Sequence, residues 1–237
     1  MIELTSAWAL CPLYQPQLSQ LPQLLQQVER QASVVEQSPM PQAAVASVAE
    51  AEQSGLPVTA RGNVAVVKLQ GVMLKSFPWL TSYVASSYHV RLAVETAAAD
   101  DSIDHILIVA DTPGGSVAGM HELADAVSAA AQSKNVVIHT TGLLASAGFY
   151  VATGANKIIA GHKRHQVGSI GVMAALWDTE KMAEQAGIKV IPLTTGEHKG
   201  TGMMGVAVTD AQVAEQQRIV DELYTDFLAV IETGRSL

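Results

Sequence analysis

The sequence predicts an α/β protein built on a parallel sheet. From Asn63 onward, short β-rich apolar runs alternate with stretches of helix-spaced apolar residues. The clearest run, His105-Ile-Leu-Ile-Val-Ala110, is continuously apolar, the pattern of a strand covered on both faces. Glycine- and proline-bearing turns punctuate the units. Repeated βα units imply parallel strands, right-handed crossovers and helices on both sides.

The elements follow in order. Val64–Leu69 is the first β-rich run, and residues 82–99 space Val84, Tyr88, Leu92 and Thr96 along one helical face. Strand 105–110 leads through Asp111-Thr-Pro-Gly-Gly115 into a helix over about 117–132, then a strand at Val136–Thr140. A helix starts near Ser146, a strand lies around Lys157–Ala160, and an apolar segment follows at Ser169–Leu176. The remainder reads as a helix at 178–186, a strand at Lys189–Leu193 and a long helix from about Asp210 to Glu232. Residues 1–57 differ. They hold six of the nine prolines and ten glutamines, with one amphipathic helical stretch over Leu21–Val35 and a small, polar linker over 42–55. The expected organisation is therefore an N-terminal arm, 1–57, and one folded domain, 58–237.

Composition narrows the function. The chain of 237 residues is 49% hydrophobic and 15% charged, long enough for a full core without staples. Its 14 Lys and Arg face 22 Asp and Glu, a net charge of −8, which argues against nucleic acid as the main partner. Cys11 is the only cysteine, so neither an intrachain disulfide nor a cysteine-based zinc site can form. No His/Cys/Asp/Glu set has ligand spacing and no phosphate-binding glycine motif occurs, so no metal or cofactor is expected. The N-terminus lacks the pattern of a secretion signal, and no apolar run reaches the ~20 residues that span a bilayer. A soluble, intracellular protein is expected.

Two strand-to-helix turns can carry chemistry. In Asp111–Gly115 the adjacent Gly114 and Gly115 permit positive φ and close approach of another backbone, and their N–H groups can face a developing oxyanion. Glycines kept only for turn geometry would look the same. In Thr141–Tyr150, Ser146 sits at a helix start between the small residues Ala145, Ala147 and Gly148. A plain serine N-cap is the simpler account. Both turns fall at the carboxyl ends of strands, where open parallel sheets bind ligands. An attacking serine needs a base. His162, His165, His198 and Lys199 follow, the last in Thr194–Gly200, just beyond the expected strand 189–193.

In this order, Asp111–Gly115, Ala145-Ser-Ala-Gly-Phe-Tyr150, Gly168-Ser-Ile-Gly-Val172 and Gly196-Glu-His-Lys199 resemble the signal-peptide-peptidase-A (S49) family of serine proteases. The nearer resemblance is to its bacteriophage branch, the head-maturation or capsid-assembly proteases of the lambda type. It covers about residues 60–235. It implies a ClpP/crotonase-type fold and a Ser–Lys dyad, with Ser146 as nucleophile and Lys199 as general base. Backbone N–H groups of Gly115, Gly114 and Ala147 would form the oxyanion hole, and Gly168–Val172 would shape the site. Met203, Met204 and Val206 could supply apolar walls that lower the lysine pKa. The same resemblance implies a homo-oligomeric ring, no membrane contact, a scaffold, portal or coat protein as substrate, and a place in the host cytoplasm or the phage prohead. Three alternatives stand beside it: a ClpP-like Ser-His peptidase using His162 or His165, an acyl-CoA enzyme of crotonase type, and a structural capsid-assembly protein with a vestigial site.

Overall fold

The computed structural model describes residues 47–76 and 83–235. The expected arm helix over 21–35 lies outside the described residues. Within them the chain runs α1 (Val48–Gln53), β1 (Val58–Arg61), β2 (Val64–Gln70), β3 (Val72–Leu74), β4 (Val84–Ser86), α2 (Ser87–Ala99), β5 (His105–Thr112) and α3 (Met120–Ser133). It continues with β6 (Asn135–Ala145), α4 (Ala147–Ala152), β7 (Lys157–Ala160), β8 (Gln166–Gly168), α5 (Glu180–Gln185) and α6 (Asp210–Arg235).

Six strands form one sheet in the order β1-β2-β5-β6-β7, with β8 also on β6. All pairs are parallel except β1–β2. This is the mixed α/β architecture of βα units that the apolar periodicity predicts. The eleven-residue β6 pairs with β7 along 137–140 and with β8 along 143–145, so two short strands share one edge. A second, two-stranded parallel sheet joins β3 to β4.

Helices α2, α3 and α4 pack on the sheet face that carries Val67, Leu69, Ile106, Ile108, Val136 and Ile138. On the opposite face Val66, Leu107, Val109, Val137 and His139 are only half-buried. The continuous apolar run at 105–110 therefore has one face in the core and one incompletely covered, rather than helices on both sides among the described residues. The C-terminal end of α6 returns to this body: Phe227 sets its ring edge-on against Tyr150 at 5.2 Å.

Three segments differ from the sequence expectation. Residues 84–86, expected within the helical stretch 82–99, form β4 instead. Residues 48–53 are helix rather than linker. Ser47 caps them by accepting from the Glu50 N–H, and Val48 and Ala51 enter the core. The buried carboxylate of Asp100 accepts the Val48 N–H at 2.9 Å, which ties the segment down. Residues 189–193 form no strand. Apolar content suggested one, but Leu193 is 93% exposed and Ile191 70%, with no strand among the described residues for their backbone to pair with.

Candidate active site

Ser146 stands between the last residue of β6 and the first of α4. Its backbone is at φ 51°, ψ −125°, one of two described non-glycine residues with positive φ. Two hydrogen bonds hold this turn: the Ser146 N–H donates to Gly168 O at the end of β8 (2.8 Å), and its C=O accepts from Tyr150 N–H (2.9 Å). A serine N-cap would use its hydroxyl on the helix. Here the side chain makes no cap hydrogen bond. The residue is only 4% exposed. A sharp strand-to-helix turn of this kind is how a serine is presented as a nucleophile at the top of a sheet.

The glycine turn lies directly against it. A Cβ on Gly114 (φ 88°) would come within 2.7 Å of Ala145 O, Ala147 N and Ser146 Cβ. A Cβ on Gly115 would overlap the Met73 backbone. Met73 donates to Gly114 O and accepts from Ser116 N–H, both at 2.8 Å, so the turn makes one parallel bridge to β3. The N–H of Gly115 is antiparallel to the Gly114 C=O across their shared planar peptide. It therefore points away from β3. The Gly114 N–H is engaged elsewhere, with Thr112 Oγ1 at 3.1 Å. Ala147 opens α4, where an N–H has no partner within the helix.

Asp111 completes the connection. The pairing of β5 with β6 shifts register between Ala110 and Thr112, leaving extra β6 residues around Thr141–Leu143. The Asp111 carboxylate takes up this slack by accepting the Leu143 N–H at 3.0 Å, with Gly142 packed against it.

Lys199 shares no hydrogen bond with this cluster. It lies in an exposed turn, Leu193 precedes it fully open to solvent, and no hydrogen bond joins it to Ser146. Met203 and Met204, expected as apolar walls, are 40% and 74% exposed. The Lys199 turn is nonetheless anchored. Thr209 and Gln212 form a reciprocal capping box at the start of α6, and Gln212 Nε2 donates to Glu197 O at 3.4 Å. The two histidines considered as bases are turned elsewhere: His165 Nδ1 meets Thr140 O at 3.0 Å, and His162 Nδ1 accepts the Arg164 N–H. Sequence reasoning missed Thr112, Asp111 as an anchor and Gln212. Only the Thr-x-x-Gln spacing at 209–212 offered a local signal.

The model of peptidase family S49 matches residues 128–237. Ser146 and Lys199 both fall inside the matched region, while the glycine turn precedes it. The chain is similar to MJ0651 of Methanocaldococcus jannaschii, 32% identical over 150 residues that make up 63% of this chain and 48% of that protein. It is 30% identical to the capsid assembly protease C of Escherichia phage lambda over 59% of this chain and 32% of that one. With the head-tail preconnector protein GP5 of Enterobacteria phage P21 it shares 29% identity over 69% of this chain and 31% of that protein. The chain thus spans less than half the length of these curated relatives. Enoyl-CoA hydratases from Bacillus halodurans and from Mycobacterium avium subsp. paratuberculosis align at TM-scores of 0.37 and 0.39. Identities are 11% and 15%, covering 75% and 77% of this chain and 84% and 85% of those structures, a level that says nothing about substrate.

Proposed function

We propose that the protein is a serine endopeptidase with a Ser146–Lys199 dyad that acts in phage capsid maturation on a scaffold, portal or coat protein. The observation that carries this reading is Ser146 itself: a strained, buried turn whose hydroxyl is left free of the helix and whose neighbour is a Gly-Gly turn. The S49 match and the capsid-protease and preconnector relatives support the reaction class and the setting.

Ser146 Oγ attacks the scissile carbonyl carbon while Lys199 Nζ takes the hydroxyl proton. The carbonyl oxygen becomes an oxyanion, accepted by the Gly115 and Ala147 N–H groups; Gly114 shapes the hole instead of donating to it. Collapse breaks the C–N bond, Lys199 returns the proton to the leaving amine, and water then hydrolyses the serine ester.

A lysine base must be neutral, which requires an apolar cover over an ammonium whose ordinary pKa is about 10.4. Among the described residues Lys199 has no such cover, and the segment around it exposes Trp177, Met182, Ile188, Ile191, Leu193 and Met204. A second copy supplies that cover in our reading, making the working enzyme a homo-oligomer, most simply a ring.

The test is a time course of casein fragmentation by wild type, Ser146→Ala and Lys199→Ala. Cleavage lost in both variants is the expected result. Unchanged cleavage by Ser146→Ala would overturn the assignment, and loss in Ser146→Ala alone would move the base away from Lys199.

A further inference from the structure

We infer that Thr112 is a positioning residue that sets the oxyanion hole, an inference that rests on the peptidase reading above. Three walls of the site meet at this one side chain. Its hydroxyl donates to Gly71 O at 2.6 Å, where β2 passes into β3. The same oxygen accepts the Gly114 N–H at 3.1 Å. Its methyl fills the notch at Gly148 on α4, where any Cβ would overlap Thr112 Cγ2. The side chain is completely buried.

The hydroxyl can donate only one proton, and Gly71 O receives it, so Oγ1 faces Gly114 as an acceptor. That fixes the Gly114 N–H and, with the Met73 N–H on Gly114 O, both ends of the residue. The peptide joining Gly114 to Gly115 then has one orientation, with the Gly115 N–H away from β3. Gly114 and Gly115 would otherwise have wide backbone freedom. The methyl arm acts on the other half of the hole, locating the first turn of α4 and with it Ala147. One residue thus aligns both donors without touching substrate.

The two arms separate by substitution. Thr112→Val keeps the shape and the methyl but removes the hydroxyl. Thr112→Ser keeps the hydroxyl and opens a small gap at Gly148. With fluorescent casein and the full chain, Thr112→Val is expected to lower kcat about 10- to 100-fold with KM little changed, the scale of a misaligned donor. Thr112→Ser, which keeps the Gly114 hydrogen bond but loses the methyl stop for α4, should give a kcat between wild type and Thr112→Val even where its unfolding midpoint is the lower of the two. Amide exchange at Gly114 gives a readout independent of turnover: faster in Thr112→Val, protected in Thr112→Ser. Wild-type kcat in Thr112→Val, or activity that follows stability across both variants, overturns the inference, as does unchanged Gly114 exchange. Casein cleavage by Ser146→Ala at the wild-type rate would instead strike the peptidase reading, and the Gly114 amide would still report whether the clamp exists.

Discussion

A serine at φ 51°, ψ −125° stores about 1–3 kcal/mol of backbone strain that glycine would not. Ser146→Gly and Ser146→Ala remove the same hydroxyl but treat this strain oppositely. Both should lose cleavage by at least about 10³-fold. In urea denaturation Ser146→Gly should be the more stable of the two by about 1 kcal/mol or more. Equal stability would mean that the turn is relaxed. Asp100 makes a different residue-scale prediction. Hydrogen bonds from the Ser102 hydroxyl, then from the Val48 and Ser102 N–H groups, hold its carboxyl below the usual value of 3.8. Because the folded pKa is depressed, its contribution is present above pH 3.8 and is lost as pH falls through the lower folded value. Asp100→Asn should therefore unfold at lower urea than wild type at pH 7, and the gap should narrow on acidification below pH 3.8. A gap independent of pH would mean that the carboxylate charge is not what holds α1.

At the scale of elements, α6 ties the Lys199 turn to the body of the protein. Gln212 closes the capping box at one end and reaches Glu197 O, while Phe227 docks the other end on Tyr150. Gln212→Ala should cost about 1 kcal/mol of stability through the cap and lower kcat more than that loss of folded protein explains. An unchanged kcat would detach the Lys199 turn from this anchor. Elements with a clear period were legible in the sequence: β2, β5, β6, β7, α3 and α6 all form where the apolar spacing predicts. The three-residue strands β3, β4 and β8 were not legible, since no period can show in so few residues. Residues 189–193 misled because an apolar run looks alike whether it enters a sheet or lies on a surface awaiting cover. The candidate site follows the same division. Glycines and a helix start mark the two turns locally, whereas Thr112, Asp111 and the strain at Ser146 depend on segments brought together from far apart in the chain.

For the whole molecule, two surfaces lack cover among the described residues. One is the half-buried sheet face of Leu107, Val109 and Val137; the other is the exposed apolar segment from Ile170 to Met204. Among the described residues no helix is long and apolar enough to cross a membrane. On the proposed reading, a second copy that covers Lys199 would also bring it to the neighbour's Ser146. Mixing Ser146→Ala with Lys199→Ala chains should then recover a substantial fraction of casein cleavage, measured after co-refolding. No recovery, with oligomers of unchanged mass, would confine each dyad to one chain.

The order of these parts along the chain has a consequence for synthesis. Among the described residues, every strand of both sheets lies between residues 58 and 168. A chain emerging from the ribosome has therefore delivered the whole sheet and the serine turn some thirty residues before Lys199 is made, and further still before the Phe227 anchor. On the proposed reading, the nascent protein passes through a stage with a finished nucleophile and no base of its own, and at that stage it cannot by itself cut neighbouring nascent chains.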